Sequence, residues 1–201
     1  MKNLKTYKQL FEANKVITKL DFYDQNLNEL PELPNSLKKL HCGNNKLTEL
    51  PELPESLEIL ECYKNQLTEL PKLPDTLELL FCHNNKLTEL PELSDTLELL
   101  SCSNNNLTEL PELSEGLKSL YCFNNYLTEI PELPDTLEML NCERNKLTEL
   151  PNLPFELGQL YCDDNKLPYS NLERYWEWCK DNNKEHYNNY IAYKNMNEFN
   201  I

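Results

Sequence analysis

Glycine is nearly absent from this 201-residue chain, with three copies, and alanine and valine are scarcer still, with two and one. Three glycines do not supply a glycine-rich loop whose backbone could cradle a nucleotide phosphate, which argues against that chemistry. Positive charge is also in short supply: 19 Lys and Arg stand against 34 Asp and Glu, a formal net charge of −15. Such a field repels phosphate backbones and anionic headgroups, so neither nucleic acid nor a membrane surface is an expected partner. No stretch approaches the roughly 18 consecutive apolar residues that a membrane-spanning helix needs. The opening segment MKNLKTYKQLFEANK is polar where a secretory signal would be apolar, and a cytoplasmic protein is expected. The three histidines, His41, His83 and His186, fall in no nucleophile–base spacing.

What is present is periodic. Eight cysteines in so short a chain suggest a disulfide framework until their spacing is read. Cys42, Cys62, Cys82, Cys102, Cys122, Cys142 and Cys162 recur every 20 residues, and Cys179 lies outside the series. The unit is LxxLxCxxNxLTELPxLPxx, starting at Leu37, Leu57, Leu77, Leu97, Leu117, Leu137 and Leu157. A degenerate copy precedes these, with Ile17, Leu20, Phe22, Gln25 and Leu27 in the equivalent places. The alternation around Leu40 and Cys42 predicts a short strand with those two side chains inward and Lys39, His41 and Gly43 outward. Stacked copies predict a concave parallel sheet of about eight strands at about 4.8 Å spacing. The return limb carries Pro31, Pro51, Pro71, Pro91, Pro111, Pro131 and Pro151, which predicts an extended, polyproline-like convex side without helices. Sides of unequal width make such a stack curve.

The pattern LxxLxCxxNxL resembles the leucine-rich repeat signature, over about residues 16–168. The short unit with LPxLPxxL resembles the repeats of enterobacterial type III effectors of the YopM and IpaH kind and those of giant-virus leucine-rich repeat proteins, which carry Val or Leu where this chain has Cys. The resemblance implies a horseshoe solenoid that binds proteins on its concave face, with a host cell's cytoplasm as the setting if the chain is viral or an effector. A solenoid leaves both ends of its core open, so caps are expected at 1–15 and at 169–201, flanking repeats at 16–168. Leu4, Tyr7, Leu10 and Phe11 stand at helical spacing in the first. In the second, Ser170 with Glu173 reads as a capping box ahead of a stripe of Leu172, Trp176 and Cys179. Tyr187, Tyr190 and Ile191 suggest a further helix.

The conspicuous columns read as structure. The cysteines form a ladder of buried thiols: their spacing permits disulfides, but parallel in-register side chains point the same way, and no CxxC pair offers two metal ligands from one loop. No cofactor and no metal is expected. Asn45, Asn65, Asn85, Asn105, Asn125, Asn145 and Asn165 read as amides satisfying backbone groups where the chain leaves the strand. Glu29, Glu49, Glu69, Glu89, Glu109, Glu129 and Glu149 read as a solvated convex edge, since one carboxylate per coil falls short of the six to eight oxygens calcium prefers. Cys179-Lys180-Asp181 matches the CxD motif of the IpaH-like ubiquitin ligases, but Cys179 falls on the apolar stripe of the expected cap helix and reads as packing.

With the repeated positions assigned, information resides in those that vary between copies. The outward strand columns bring Ile59, Tyr63, Leu79, Phe81, Leu99, Tyr121, Phe123 and Met139 together in the middle of the concave face, with Tyr161 towards its end. Lys39, Glu61, Glu143 and Asp163 rim the patch, a composition suited to binding protein. A non-enzymatic scaffold holding a protein or peptide, itself a monomer, is the expected function. The alternatives are a self-assembling structural protein and a stand-alone relative of the repeat-plus-ligase effectors.

Overall fold

The computed structural model describes residues 16–198, and the cap expected over 1–15 lies outside them. One strand of three residues occurs in each 20-residue coil: β1 Lys19–Asp21, β2 Lys39–His41, β3 Ile59–Glu61, β4 Leu79–Phe81, β5 Leu99–Ser101, β6 Ser119–Tyr121, β7 Met139–Asn141 and β8 Gln159–Tyr161. They pair in parallel in sequence order, each residue opposite the one 20 positions on, as Leu80 is opposite Leu100. The central Leu of every strand is buried and its neighbours face outward, as the alternation predicts. Leu77, Leu80, Cys82 and Leu87 of one coil are wholly buried and stack on their counterparts in the next, so the core is a column. Between strands the chain makes turns and bends and no helix.

Asparagine ties the coils together. In each of the seven clear repeats the side-chain Oδ1 accepts the backbone N–H of a leucine one coil earlier; Asn105 takes that of Leu87 at 3.0 Å. Its Nδ2 donates to the carbonyls of Cys102 in its own coil, at 2.9 Å, and of Cys82 in the preceding one, at 3.2 Å. The bend that aims this amide inward requires a left-handed residue just before it, at Asn44, Lys64, Asn84, Asn104, Asn124, Arg144 and Asp164, with φ from 51° to 57°. Asn and Asp tolerate that region, whereas Lys64 and Arg144 occupy it at a cost that the amide's hydrogen bonds offset.

A second, unanticipated ladder runs along the opposite corner. Ser56, Thr76, Thr96 and Thr136 each donate a side-chain hydroxyl to a leucine carbonyl one coil back, at 2.8 to 3.1 Å. Where Ser94 and Ser114 replace the second proline of the unit, the hydroxyl donates to the carbonyls of Asp75 and Asp95, so a buried polar atom gains a partner.

The C-terminal end is covered by α1, Leu172–Asn182, and α2, Lys184–Glu198. The N-cap of α1 is Asn171, whose Oδ1 accepts from the N–H of Arg174, and not the Ser170 of the expected capping box. The chain is still extended at Asn171, which forms an antiparallel bridge with Tyr161, and so the helix starts one residue later. Trp176 and Cys179 are buried as the stripe predicts, but the anchor is Tyr175: it is 2% exposed, and its hydroxyl accepts the backbone N–H of Leu153. Trp176 stacks on Tyr190 of α2 at 3.8 Å, whereas Ile191 stays exposed.

Asn105→Ala leaves the buried Leu87 N–H without a partner and the Cys82 and Cys102 carbonyls with one amide donor each in place of two, and is expected to lower stability by about 2 kcal/mol, read as a fall in the urea midpoint. Asn106→Ala, removing an exposed side chain whose one contact is 3.5 Å from the Lys86 carbonyl, is expected to leave the midpoint in place.

Candidate functional site on the concave sheet

Outward residues of the parallel strands form three columns on one face. Ile59, Leu79, Leu99 and Met139 occupy the first, Phe81, Tyr121 and Tyr161 the second, and Tyr63 and Phe123 the third, just past the strand ends. Leu79 and Leu99 are register partners on neighbouring strands, and Phe81 lies two residues from Leu79 on the same face. All of these side chains except Tyr161 are half-buried and lean on their neighbours; Tyr161, on the last strand, is 45% exposed.

The N-terminal half of the face holds a network that the repeat pattern does not announce. His41 lies between two carboxylates, its Nδ1 3.4 Å from Asp21 and its Nε2 3.3 Å from Glu61. The same Nε2 is 3.2 Å from the Tyr63 hydroxyl, and Tyr23 stacks on the imidazole with ring centres 4.8 Å apart. On its other side Tyr63 stacks on His83, also at 4.8 Å and with the planes within 3°. Burial raises the Tyr63 pKa, reinforced by the neighbouring Tyr23, Glu61 and Asp21. Burial and then Lys64 lower that of His83. Tyr63 lies flat because residue 43 is glycine: a Cβ there would come within 2.9 Å of the ring. The signal was present as the succession Asp21, His41, Glu61 in the second column, which becomes visible once charges are read down columns as well as along the chain.

For catalysis the arrangement offers little. His83 Nδ1 is 3.1 Å from the Ser101 hydroxyl, but no carboxylate among the described residues orients the other ring nitrogen. Nor do three His, Cys, Asp or Glu side chains among them come together as they would around a metal ion. All eight cysteines are free and buried. Burial pushes the Cys102 thiol up to about 12 and raises the others likewise, Cys179 included, which disfavours the thiolate a nucleophile requires. No helix among the described residues is long and apolar enough to cross a membrane.

No family profile matches the chain, and no curated protein matches it in sequence. Solved structures do. YopM from Yersinia enterocolitica WA-314 is 44% identical with a TM-score of 0.71, over 72% of this chain and 32% of YopM. The leucine-rich repeat domain of a Shigella effector is 34% identical with a TM-score of 0.69, over 80% of this chain and 74% of that domain. The functional domain of InlJ from Listeria monocytogenes, which includes a cysteine ladder, is 27% identical with a TM-score of 0.57, over 76% of this chain and 45% of that one. The chain thus spans about a third of YopM and under half of the InlJ domain.

Two measurements check the burial of the thiols and the stacking on this face. Iodoacetamide at pH 8 should label the ladder cysteines very slowly in the native protein and all of them in denaturant, because burial both blocks access to the sulfurs and raises the pKa of the thiols, disfavouring the thiolate. Gly43→Ala meets only the movable end of the Tyr63 ring, so the thermal midpoint should hold while the ring leaves its stack, seen as shifted His41 and His83 proton resonances.

Proposed function

Because the chain belongs to the leucine-rich repeat family of protein-interaction scaffolds, we propose that it works without catalysis, holding a protein or peptide on its concave sheet. One observation carries the reading: each strand from β3 to β7 places at least one apolar or aromatic side chain on the outer side of a sheet whose inner side already supplies the core, with Ser101, Ser103 and Ser119 between them. Isolated surface apolar groups are ordinary, but a cluster of large apolar and aromatic groups on one rigid face has the character of an interface centre. The hydrogen-bonded coils behind it hold these side chains in fixed relation, so little ordering is required on binding and more of the contact energy is left for affinity. Ile59, Tyr63, Leu79, Phe81, Leu99, Tyr121, Phe123, Met139 and Tyr161 are the proposed contact residues, and the scaffold is proposed to act as a monomer.

The triple variant Leu79→Ser, Phe81→Ser, Leu99→Ser tests the proposal. These side chains are half-buried, so a stability loss of about 1 kcal/mol each is expected, short of unfolding. Binding should fall much further, since desolvated anchors are worth about 2 kcal/mol or more apiece, and a pull-down or calorimetric titration reads the loss. Equal capture by the folded triple variant, with loss on changing Glu89 and Glu109, would move recognition to the convex edge.

A further inference from the structure

The charges on the concave face are of two kinds, those the fold has used and those it has left free. Asp21 and Glu61 both lie against His41, whose imidazole offsets at most one of the two, whereas Lys19 and Lys39 stand one column away. Beside the face, Lys38 is paired with Glu58, Lys118 with Glu98 and Arg144 with Asp164. Four charged side chains in the outward columns have no ion pair among the described residues, and they are segregated. Lys19 and Lys39 stand side by side on β1 and β2, and Glu143 and Asp163 stand side by side just past β7 and β8. Between the two ends lie the apolar side chains from Ile59 to Met139, with Ser101, Ser103 and Ser119 among them.

We infer that the face takes an extended protein segment of segregated charge, laid across the strands with acidic residues against Lys19 and Lys39, an apolar centre against Leu79, Phe81 and Leu99, and basic residues against Glu143 and Asp163. This rests on the concave-face reading and adds the chemistry and the direction of the occupant. From β2 to β7 is five strand spacings, about 24 Å, which an extended chain covers in about seven residues. Charges at both ends and an apolar middle give a partner one favourable alignment: a reversed segment places like charges together at both ends, where repulsion penalises it. A uniformly basic segment, which the overall charge of −15 would attract from a distance, meets Lys19 and Lys39 on arrival.

Selection of a random peptide library displayed on phage, against the full 201-residue chain at physiological salt, tests the inference and requires no identified partner. The expected winners carry acidic residues at one end, apolar residues in the middle and basic residues at the other. Lys19→Glu with Lys39→Glu should weaken such a peptide about tenfold and restore binding to a version with its acidic end made basic. Glu143→Lys with Asp163→Lys should do the converse at the other end. Glu89→Lys with Glu109→Lys, an equal charge change on the convex edge, should alter affinity less than about twofold at that salt. Thermal melts establish that each variant is folded. Winners without segregated charge, indifference to both concave reversals, or an equal effect of the convex reversal overturns the inference. If the Leu79, Phe81 and Leu99 triple variant still loses the peptides in that event, the concave-face reading survives alone. Peptides that bind the triple variant undiminished, or no enrichment on the wild type, overturn both.

Discussion

A coil of twenty residues makes almost no regular hydrogen bonds within itself, so the structure depends on one amide per coil meeting backbone groups of two coils at once. The Cys82 carbonyl illustrates the economy: it accepts from Asn85 of its own coil and from Asn105 of the next, so both of its lone pairs are engaged. A buried carbonyl and a buried leucine N–H would otherwise stand unsatisfied at the edge of an apolar column, and either deficit is costly in a site without water. Strands of three residues persist because this arrangement fixes where each begins relative to its neighbour.

The architecture was legible because its determinants repeat. Seven copies of Leu, Cys and Asn at fixed offsets state the inward positions, the period and the turn, and the strands, their register and the helix-free return limb follow. What escaped was either diluted or unrepeated. The hydroxyl ladder of Ser56, Thr76, Thr96 and Thr136 is interrupted by Gly116 and Glu156, and Ser and Thr are common at turns whether or not their hydroxyls reach a neighbouring coil. Tyr175 occurs once, and nothing in its local pattern shows that its hydroxyl meets Leu153 some twenty residues earlier. The N-cap of α1 shifted from Ser170 to Asn171 for the same reason: a contact with Tyr161, close in sequence but on another element, kept the chain extended.

The candidate site divides along the same line. Its columns could be written down from the period, whereas the way their members interact could not. His41 reads as an isolated residue in sequence, yet it faces Asp21 and Glu61 because strands 20 residues apart are neighbours. Tyr63 lies across two strands because Gly43 leaves it room, and a glycine carries no side-chain chemistry that would mark it as half of a functional pair. The cysteine column shows the reverse case, drawing the eye while its buried thiols pack in the core and its carbonyls receive the amides. The InlJ domain, at 27% identity, shares a ladder of the same residue type.

The asparagine contacts between coils recur from one cysteine-bearing coil to the next: Leu N–H to Asn eighteen residues on, Cys carbonyl to Asn three and twenty-three residues on. Nothing in them registers how many coils lie above or below. A gene duplication or deletion of sixty nucleotides, or any multiple, therefore yields a chain whose junction is already complete, whereas an in-frame change of any other length leaves one coil with the wrong number of residues. Length is free to drift in whole steps during descent, and each step inserts or removes one row of outward residues. On the proposed concave-face reading, such a protein can change what it recognises by altering how many rows it displays, a route closed to a domain with a single closed core.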